Sequence, residues 1–563
     1  MNLTPEQRAA GRRNFDDVTR RDFLKGGIAA GAVAGGSLGA FYFGYEASVA
    51  EPVRVGVVGT GDEGSVLLGA VNPEFVQVKS IADVRPYNQH RAFHGDIYSD
   101  AALEARPGLM TKYGWKTEHE ARKNVAVYND YRELIDNARK DGLEAIIIAL
   151  PLHLHAPAAI AALKAGLHVL TEKLMAKTVH ECKEMARMSE QTGLHLATGH
   201  QRHYNILYQN AVDTIRRGVL GELHYIRAQW HRGNLPGTDS WQLPLPKSVK
   251  PKDPQAERLA KELADWKKQL DQARGRDIDL WRKKIAQKEA QIRDEIVKAE
   301  SYGYEPVSVK DNAGKTLYEG PALEELIRWR LWSRTGGGLM VELGSHQLDA
   351  ASIFVAAMHE GKKQHPLNVA ASASRPLFPP DRDVEDHVFC MFEYPSPGYK
   401  ANDPIDSRRK IGVQYASING NGFGGYGEIV YGTKGTLILE REQEVMLYQE
   451  ESASTVKAGS GGGPTLDTQA SGAAQKAAAT GGAVKVSRGY AEEIEHWAWC
   501  IRNPAKENKP RCHPEVAMGD AIIALTTNMA AREGSRIDFK EEWFDINNDA
   551  TPEGIKPDLS RYA

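Results

Sequence analysis

The first third of the sequence alternates short apolar runs with segments of helical periodicity. The apolar runs are rich in β-branched residues and predict buried strands, over 53–58, 76–82, 145–150 and 168–171. Between and after them, apolar residues recur at helical spacing and predict helices, over 65–71, 132–140, 156–165 and 179–192. Such alternation is typical of a parallel sheet with helices on both faces. The pattern therefore predicts a doubly wound, Rossmann-type α/β domain over residues 51–222.

From residue 223 the pattern changes to strict alternation of apolar and polar positions. The run 224–230 predicts the first strand of a sheet with one open face. Further strands are expected over 388–392, 411–417, 428–431 and 436–440, and two helices over 490–501 and 515–531. We therefore expect a second α/β domain over 223–545 with an open, mostly antiparallel sheet, followed by a tail over 546–563.

Two segments interrupt this second domain. Residues 250–302 contain a highly charged stretch in which Leu259, Leu263, Trp266 and Leu270 recur at roughly helical spacing, which predicts a helical insertion. A solvated surface hairpin is the simplest interpretation, and an oligomer contact or a lid over the active site are the alternatives. Residues 452–483 are rich in Gly, Ala, Ser and Thr and predict a flexible loop without an assigned function.

The N-terminal segment has the features of an export signal. The sequence T-R-R-D-F-L-K at 19–25 is followed by an uncharged, Gly- and Ala-rich run over 26–44, which predicts a twin-arginine signal over residues 1–50. A membrane helix is the rival interpretation, but the low hydrophobicity of the run favours the signal. Small residues at 48–50 predict cleavage before Glu51, with an uncleaved anchor as the alternative. We expect a periplasmic or exported protein that uses the twin-arginine machinery, a pathway for folded proteins that suits a tightly held cofactor.

Composition and charge narrow the classes of partner. With 41% hydrophobic residues and a formal charge of −3, the chain is an ordinary globular sequence without a basic field that would attract nucleic acid. A small-molecule partner is therefore expected. The four cysteines form no C-x-x-C pair, so neither a disulfide scaffold nor a thiolate zinc site is indicated. We expect inert buried thiols, with one disulfide between Cys500 and Cys512 as the alternative.

A glycine-rich loop follows the first predicted strand. The sequence G-T-G-D-E-G at 59–64 has the G-x-G-x-x-G spacing, in which glycines allow a tight turn and close approach of the backbone to a pyrophosphate. The next strand ends at Asp83, where a carboxylate would bind the ribose hydroxyls of NAD. That carboxylate would repel the 2′-phosphate of NADP, so NAD is favoured, although Arg85 would partly offset the repulsion. A turn or cap role is the alternative for Asp83. The expected cofactor residues here are Gly59, Thr60, Gly61, Glu63, Gly64, Asp83 and Arg85.

Three further segments complete a recognisable pattern. They are I-I-I-A-L-P-L-H-L-H at 146–155, G-L-H-V-L-T-E-K at 166–173 and G-G-G-L-M-V-E-L-G-S-H-Q-L-D at 336–349. With the glycine-rich loop, they make the chain resemble the glucose-fructose oxidoreductase, inositol dehydrogenase and MocA family over most of 53–539. The resemblance implies an NAD(P)-dependent oxidoreductase acting on sugars, cyclitols or related compounds. It also implies a C-terminal open sheet that covers the active site and often pairs subunits, so a homodimer or homotetramer is expected.

The resemblance also implies roles for individual residues. Lys173 would lie beside the nicotinamide and the substrate hydroxyl, and Pro151, His155 and Glu172 would contribute to the cofactor site. Leu174 stands where the family usually has proline, which frees the backbone after the lysine.

A second catalytic element follows from the segment 336–349. Glu342 and His346 are four residues apart and would share one helix face, with His346 as the proton acceptor and Glu342 as its orienting or substrate-binding partner. A helix-capping acid and a structural histidine are the alternative. Relatives commonly have aspartate at the first position, so Glu342 is a departure. A zinc site built from Glu342, His346 and Asp349 is a further alternative, but no metal is expected.

Polarity and placement suggest substrate contacts. We expect sugar binding by Arg202, Tyr204, Trp332 and Asp349. His153, His200 and His203 are either substrate contacts or ordinary loop residues.

Three functional hypotheses follow. The first is hydride transfer to or from a sugar-like alcohol or ketone, with a bound NAD that is regenerated in the same site, because free NAD is not expected outside the cytoplasm. The second is a glycosidase in which oxidation and re-reduction of one sugar bracket an elimination. In that case His346, Tyr204 or a loop histidine would be the base. The third is a non-catalytic nucleotide-binding envelope protein.

Overall fold

The computed structural model describes residues 3–29, 38–449, 487–554 and 556. The predicted loop 452–483 and part of the apolar run 26–44 lie outside these residues. Two large sheets organise the described chain, one of six strands and one of eight, together with a separate two-stranded hairpin.

The first sheet is parallel throughout, with the order β3-β2-β1-β4-β5-β6. Its strands are β1 Val53–Val58, β2 Val76–Ala82, β3 Ala126–Tyr128, β4 Ala145–Ile148, β5 His168–Glu172 and β6 Leu196–Gly199. Both faces are buried, because Ile146 and Ile148 belong to one apolar cluster while Ala145 and Ile147 belong to another. The predicted doubly wound domain is confirmed.

Helices connect these strands and precede them in the chain. They are α1 Pro5–Ala29, α2 Leu38–Phe43, α3 Asp62–Ala70, α4 Pro86–His94, α5 Asp100–Ala105, α6 Gly108–Tyr113, α7 Glu118–Asn124, α8 Tyr131–Asp136, α9 Ala138–Asp141, α10 His155–Lys164, α11 Val179–Thr192 and α12 Ile206–Arg216. The predicted helix over 132–140 is two short helices, α8 and α9, divided at Asn137.

The second sheet has the order β15-β14-β13-β7-β12-β11-β10-β16, and only the β7–β12 pair is parallel. Its strands are β7 Leu223–His231, β10 Asn368–Ser374, β11 His387–Pro395, β12 Lys410–Ile418, β13 Tyr426–Gly432, β14 Gly435–Glu440, β15 Glu444–Gln449 and β16 Arg536–Asp538, and the separate hairpin pairs β8 Val307–Lys310 with β9 Thr316–Gly320. Ile411 and Val413 are fully buried on one face, whereas Phe389 and Met391 are exposed on the other. The predicted open, mostly antiparallel sheet is confirmed.

The remaining helices pack on both domains. They are α13 Pro254–Gln272, α14 Arg276–Arg293, α15 Ala322–Ile327, α16 Ser345–Ala357, α17 Tyr490–Arg502, α18 Pro514–Glu533 and α19 Glu541–Phe544. Helix α17 returns to the first domain, where Ile494, Trp497 and Ala498 join the apolar cluster that contains Val53 and Val55. The spatial first domain thus includes a helix that the sequence pattern assigned to 223–545.

The helical insertion is an antiparallel pair, α13 and α14, docked on the first domain. The Gln287 side chain accepts a hydrogen bond from the Ile97 amide at 2.8 Å and donates one to Asp96 at 2.8 Å. Just after α14, the Asp294 side chain is fully buried and pairs with Arg85. The insertion is therefore a packed part of the first domain's surface rather than a solvated hairpin.

The N-terminal helix α1 lies along β15, where Arg8 pairs with Glu440 at 2.6 Å and the Tyr448 hydroxyl donates to the carbonyl of Gln7. Across the described part of the chain, no helix combines the length and apolar character needed to cross a bilayer. All four cysteines are buried free thiols, so the alternative disulfide between Cys500 and Cys512 does not form.

Candidate functional site

A cavity of about 820 Å³ opens at the carboxyl ends of the first sheet's strands, between the two domains. Residues from the glycine-rich loop, from the ends of β2, β4 and β5, and from β7 line it. Ligand pockets are typically about 300–1,000 Å³, and in doubly wound sheets they lie at this edge. The volume and the position are therefore those of a cofactor and substrate site.

The three glycines of the loop have distinct geometric roles. Gly59 has a φ of +79°, and a Cβ there would lie 2.3 Å from the Ala149 carbonyl oxygen. A Cβ on Gly64 would lie 1.9 Å from the Gly59 oxygen, so the start of α3 packs directly on the loop. At Gly61, by contrast, the nearest atom to a Cβ would be Asn88 Nδ2 at 3.6 Å. Gly61 thus leaves a bare backbone facing the cavity, which fits a pyrophosphate beside a helix N-terminus.

At the end of β2, the buried Asp83 carboxylate organises the adjoining loops. It accepts hydrogen bonds from the amides of Thr60 at 2.7 Å and Arg85 at 2.9 Å, and from Asn88 Nδ2 at 3.1 Å. Burial raises the pKa of Asp83, although these hydrogen bonds act in the opposite direction. The position of this acceptor fits the ribose of NAD.

Arg85 is occupied by the insertion. Its Nε and one terminal nitrogen both lie 2.8 Å from an Asp294 carboxylate oxygen. Because Asp294 neutralises it, Arg85 is not a free cation for the 2′-phosphate of NADP. The residues around Asp83 and Arg85 therefore fit NAD better than NADP.

At the opposite end of the cavity, Glu342 joins two cations. Lys173 Nζ donates to the Glu342 main-chain oxygen at 2.8 Å and lies 3.5 Å from its Oε2, while Arg330 Nε donates to Oε1 at 2.6 Å. Burial alone would raise the pKa of Glu342, but Arg330 and Lys173 lower it to about 2. Glu342 is therefore ionised at neutral pH and fixes the Lys173 ammonium group at the cavity wall.

His346 lines the same end of the cavity, one turn beyond Glu342. Its ring centroid lies 5.4 Å from that of Trp230. Burial lowers the pKa of His346 well below its usual range, and the nearby charges of Lys173 and Arg202 add to the effect. The imidazole is therefore neutral at physiological pH and able to accept a proton.

The loops after β4 and β5 are tied together behind Lys173. The two ring nitrogens of His155 lie 2.8 Å from the carbonyl oxygens of Leu150 and Leu174, and the Lys173–Leu174 peptide bond is cis. Burial and the neighbouring Glu63 raise the pKa of Glu172 to about 8, so this carboxyl is protonated at neutral pH. It accepts a hydrogen bond from the Lys173 amide at 3.1 Å.

Comparison with protein families identifies the first domain. Residues 53–200 match the GFO_IDH_MocA oxidoreductase family, described by its NAD-binding Rossmann fold. The first domain, over residues 53–200, thus has the NAD-binding fold of this family. Residues 17–37 also match the twin-arginine translocation signal. The predictions of an NAD-binding domain and of a twin-arginine signal are confirmed.

Individual relatives are more distant. The chain is 28% identical over 215 residues to a glycosyl hydrolase family 109 protein of Solibacter usitatus, a match covering 37% of this chain and 45% of the relative. It is 29% identical over 231 residues to an α-N-acetylgalactosaminidase of Shewanella oneidensis, covering 37% and 44%. The matches thus span less than half the length of these relatives.

A solved structure is similar over a larger share of the chain. The oxidoreductase domain protein of Kribbella flavida is similar with a TM-score of 0.50 and 14% identity, covering 87% of this chain and 99% of that one. At this identity the likeness concerns the fold.

Most of the predicted cofactor residues line the cavity. Those in its wall are Gly59, Gly61, Glu63, Asp83, Arg85, Pro151, His155, Glu172 and Lys173. Thr60 acts through its hydrogen bond to Asp83, and Gly64 lies beneath the loop. Their contacts with the cofactor stay predictions.

The four predicted substrate residues, by contrast, do not line this cavity. Arg202 is buried against Glu442 at 2.9 Å, and the Tyr204 hydroxyl lies 2.7 Å from His496. Trp332 lies in the core of the second domain. Asp349 is buried and 2.8 Å from His203 Nε2. The expectation of sugar contacts is corrected for all four, because their polar groups have partners elsewhere or their rings are buried in the core.

The alternative zinc set does not assemble either. In the described part of the chain, the group of possible metal ligands that contains Asp349 is completed by His203 and Asp520, and it includes neither Glu342 nor His346. His203 and the buried His200 thus lie in a polar network behind the cavity rather than on its wall.

Several residues of the cavity wall were not predicted from the sequence. They are Trp230, Arg232, Trp241, Trp329, Arg330 and Tyr490. Only Trp230 and Arg232 could have been proposed from the sequence, because they lie at the end of a predicted strand. The others lie in irregular segments or on a helix 317 residues after Lys173.

Proposed function

We propose that the protein is an NAD-dependent oxidoreductase that transfers hydride to or from a sugar, cyclitol or related compound. The observation that carries the proposal is the position of Lys173. Its ammonium group donates a hydrogen bond to the main-chain oxygen of Glu342 at 2.8 Å. The cavity around it also contains a neutral His346 and the glycine-rich loop.

The residues divide the chemistry between them. When NAD is bound, its nicotinamide would accept the hydride that leaves the substrate carbon. Lys173 donates a hydrogen bond to the substrate oxygen and stabilises the negative charge that develops there. His346 accepts the hydroxyl proton, which its neutral imidazole permits. Glu342 is a positioning residue, because it holds Lys173 and Arg330 together.

Export constrains how turnover is sustained. With a twin-arginine signal at residues 17–37, we infer a periplasmic or exported protein that folds with its cofactor bound. Free NAD is not expected there, so the cofactor is regenerated by a second substrate or by the product in the same site. A homodimer or homotetramer remains the expected assembly.

Lys173→Ala tests this proposal. The variant should keep its nucleotide but lose turnover by about 10²-fold or more, since positioned acid–base groups contribute about 10²–10⁴-fold. Turnover is followed as exchange of deuterium between a C-deuterated sugar and an unlabelled keto-sugar. The exposed Lys140→Ala is the matched control and should behave as wild type. Full exchange activity in the Lys173 variant would refute the assignment.

A second candidate is a glycosidase that acts by oxidation, elimination and re-reduction. The observation that favours it is the similarity to glycosyl hydrolase family 109 proteins. The oxidised sugar would have an acidified C–H next to the ketone, and His346 is the wall residue suited to remove that proton. Of the earlier candidates for the base, Tyr204 is buried away from the cavity.

Sugar release separates the candidates. Release of p-nitrophenol from p-nitrophenyl α-N-acetylgalactosaminide without net change in bound NAD would favour the glycosidase. Bound nucleotide without hydride exchange or glycoside cleavage across a panel of sugars would instead favour the non-catalytic binding protein.

A further inference from the structure

One arginine beside the proposed reaction centre has no carboxylate partner among the residues that the structure describes. Arg232 directly follows β7, and its amide donates to the Ile418 carbonyl at 2.9 Å. Its guanidinium carbon lies 5.7 Å from the ring centroid of Trp230 and 5.9 Å from that of Trp241. Trp230 in turn contacts His346, so Arg232 lies at the substrate end of the cavity.

Throughout described residues 3–29, 38–449, 487–554 and 556, no carboxylate lies within ion-pair distance of Arg232. The two carboxylates whose charges act on Arg232, those of Glu342 and Asp239, pair with other side chains. Glu342 binds Arg330 at 2.6 Å and also Lys173, and Asp239 binds Arg382 at 2.5 Å.

The fully buried arginines of the described chain differ from the half-buried Arg232 in this respect. Arg202 pairs with Glu442 at 2.9 Å, Arg328 with Asp253 at 2.7 Å and Arg382 with Asp239. A cation removed from water is costly unless it is paired. Burial accordingly lowers the pKa of Arg232. Within the described chain, Arg232 therefore presents an unpaired positive charge to the cavity.

We propose that Arg232 binds an oxyanion group carried by the substrate, so that the protein acts on acidic sugars. The planar guanidinium presents paired N–H donors that match the two oxygens of a carboxylate, and it also accepts phosphate or sulfate. Trp230 and Trp241 flank it with flat apolar surfaces on which a sugar ring can pack. The inference rests on the proposed function, because it assigns the substrate class of the same site.

The test compares acidic with neutral sugars on the NAD-loaded protein. Probes are D-glucuronate, D-galacturonate and D-glucose 6-phosphate against D-glucose and D-galactose, with the absorbance of the bound nicotinamide as the readout. A hydrogen bond to a charged group contributes about 1.5–3 kcal/mol, or roughly 10- to 150-fold. We expect the second-order rate constant for reduction of the bound nicotinamide to favour acidic sugars by about that factor in wild type.

Two variants of the arginine and one control make the test specific. Arg232→Met should bring the ratio of these rate constants, acidic to neutral, close to one, and Arg232→Lys should restore part of it. The exposed Arg409→Met should retain the wild-type ratio. A larger effect on uronates than on the phosphate ester identifies the carboxylate as the anion, and the reverse identifies phosphate.

Failure of this inference is distinguishable from failure of the proposed function. A wild-type preference for neutral sugars, or an unchanged ratio in Arg232→Met, would overturn the role of Arg232 while leaving hydride transfer intact. If no sugar changes the nicotinamide absorbance, the proposed function is contradicted. Calorimetric binding of D-glucuronate then decides the role of Arg232. Binding that Arg232→Met abolishes supports it, and equal or absent binding overturns it.

Discussion

Glutamine at position 342 would remove the charge that holds Lys173 and Arg330 together while keeping the shape of the side chain. In the wild type, Glu342 receives hydrogen bonds from Arg330 at 2.6 Å and lies 3.5 Å from Lys173 Nζ. An amide accepts fewer hydrogen bonds and carries no charge. Glu342→Gln therefore leaves two cations at the cavity wall without their shared counter-ion.

The magnitude follows from the pKa of Glu342, which falls from 4.5 to about 2 in the folded protein. At about 1.4 kcal/mol per pH unit, this difference corresponds to about 3 kcal/mol of folding free energy at pH 7. Because the folded pKa is depressed, this stabilisation is complete well above pH 4.5 and is lost as the pH falls through about 2. At pH 3 less than half of it remains.

Urea unfolding of the nucleotide-free protein at pH 7 and pH 3 measures the effect. We expect Glu342→Gln to unfold with about 3 kcal/mol less free energy than wild type at pH 7, and with a difference of about 1.4 kcal/mol at pH 3. The exposed Glu190→Gln should match wild type at both pH values. A difference that is the same at both pH values, or absent at pH 7, would refute the charge-based explanation.

Three further predictions concern the cofactor end and the buried carboxyl group. Gly64→Ala should abolish nucleotide retention, measured by absorbance after denaturation, because its Cβ would lie 1.9 Å from the Gly59 oxygen; normal loading would contradict this packing role. Asp294→Asn should narrow the preference for NAD over NADP by freeing Arg85, and an unchanged ratio of Kd values would show that the pair does not set selectivity. The free energy of unfolding of the wild type should fall between pH 6 and 8, by up to about 1.4 kcal/mol per pH unit, because the Glu172 carboxyl, with its pKa raised to about 8, keeps a proton that the unfolded chain has lost. Glu172→Gln should not show this fall, and the same pH dependence in wild type and variant would contradict the explanation.

Local patterns predicted the first domain closely. Strands β1 and β2 and helix α11 occupy the predicted ranges, since periodicity and caps act within a few residues; Thr178 and Glu181, for example, form a capping box at the start of α11. The glycine-rich loop and Asp83 were predictable for the same reason, because their spacing within one strand–helix–strand unit fixes their geometry.

Residues whose roles depend on distant partners were not predictable in this way. Nothing in the composition of the insertion shows that Asp294 meets Arg85, 209 residues away. Residue type also does not fix side-chain direction. Arg202 and Tyr204 have the polarity expected of sugar contacts, yet both are buried with other partners, whereas Arg232 lines the cavity.

The cofactor carried by the exported protein tests the central claim most directly. The protein is purified without added nucleotide and denatured, and the released nucleotide is identified by mass and absorbance. We expect near-stoichiometric NAD or NADH. A protein that releases no nucleotide and also fails to bind added NAD would contradict an NAD-dependent oxidoreductase.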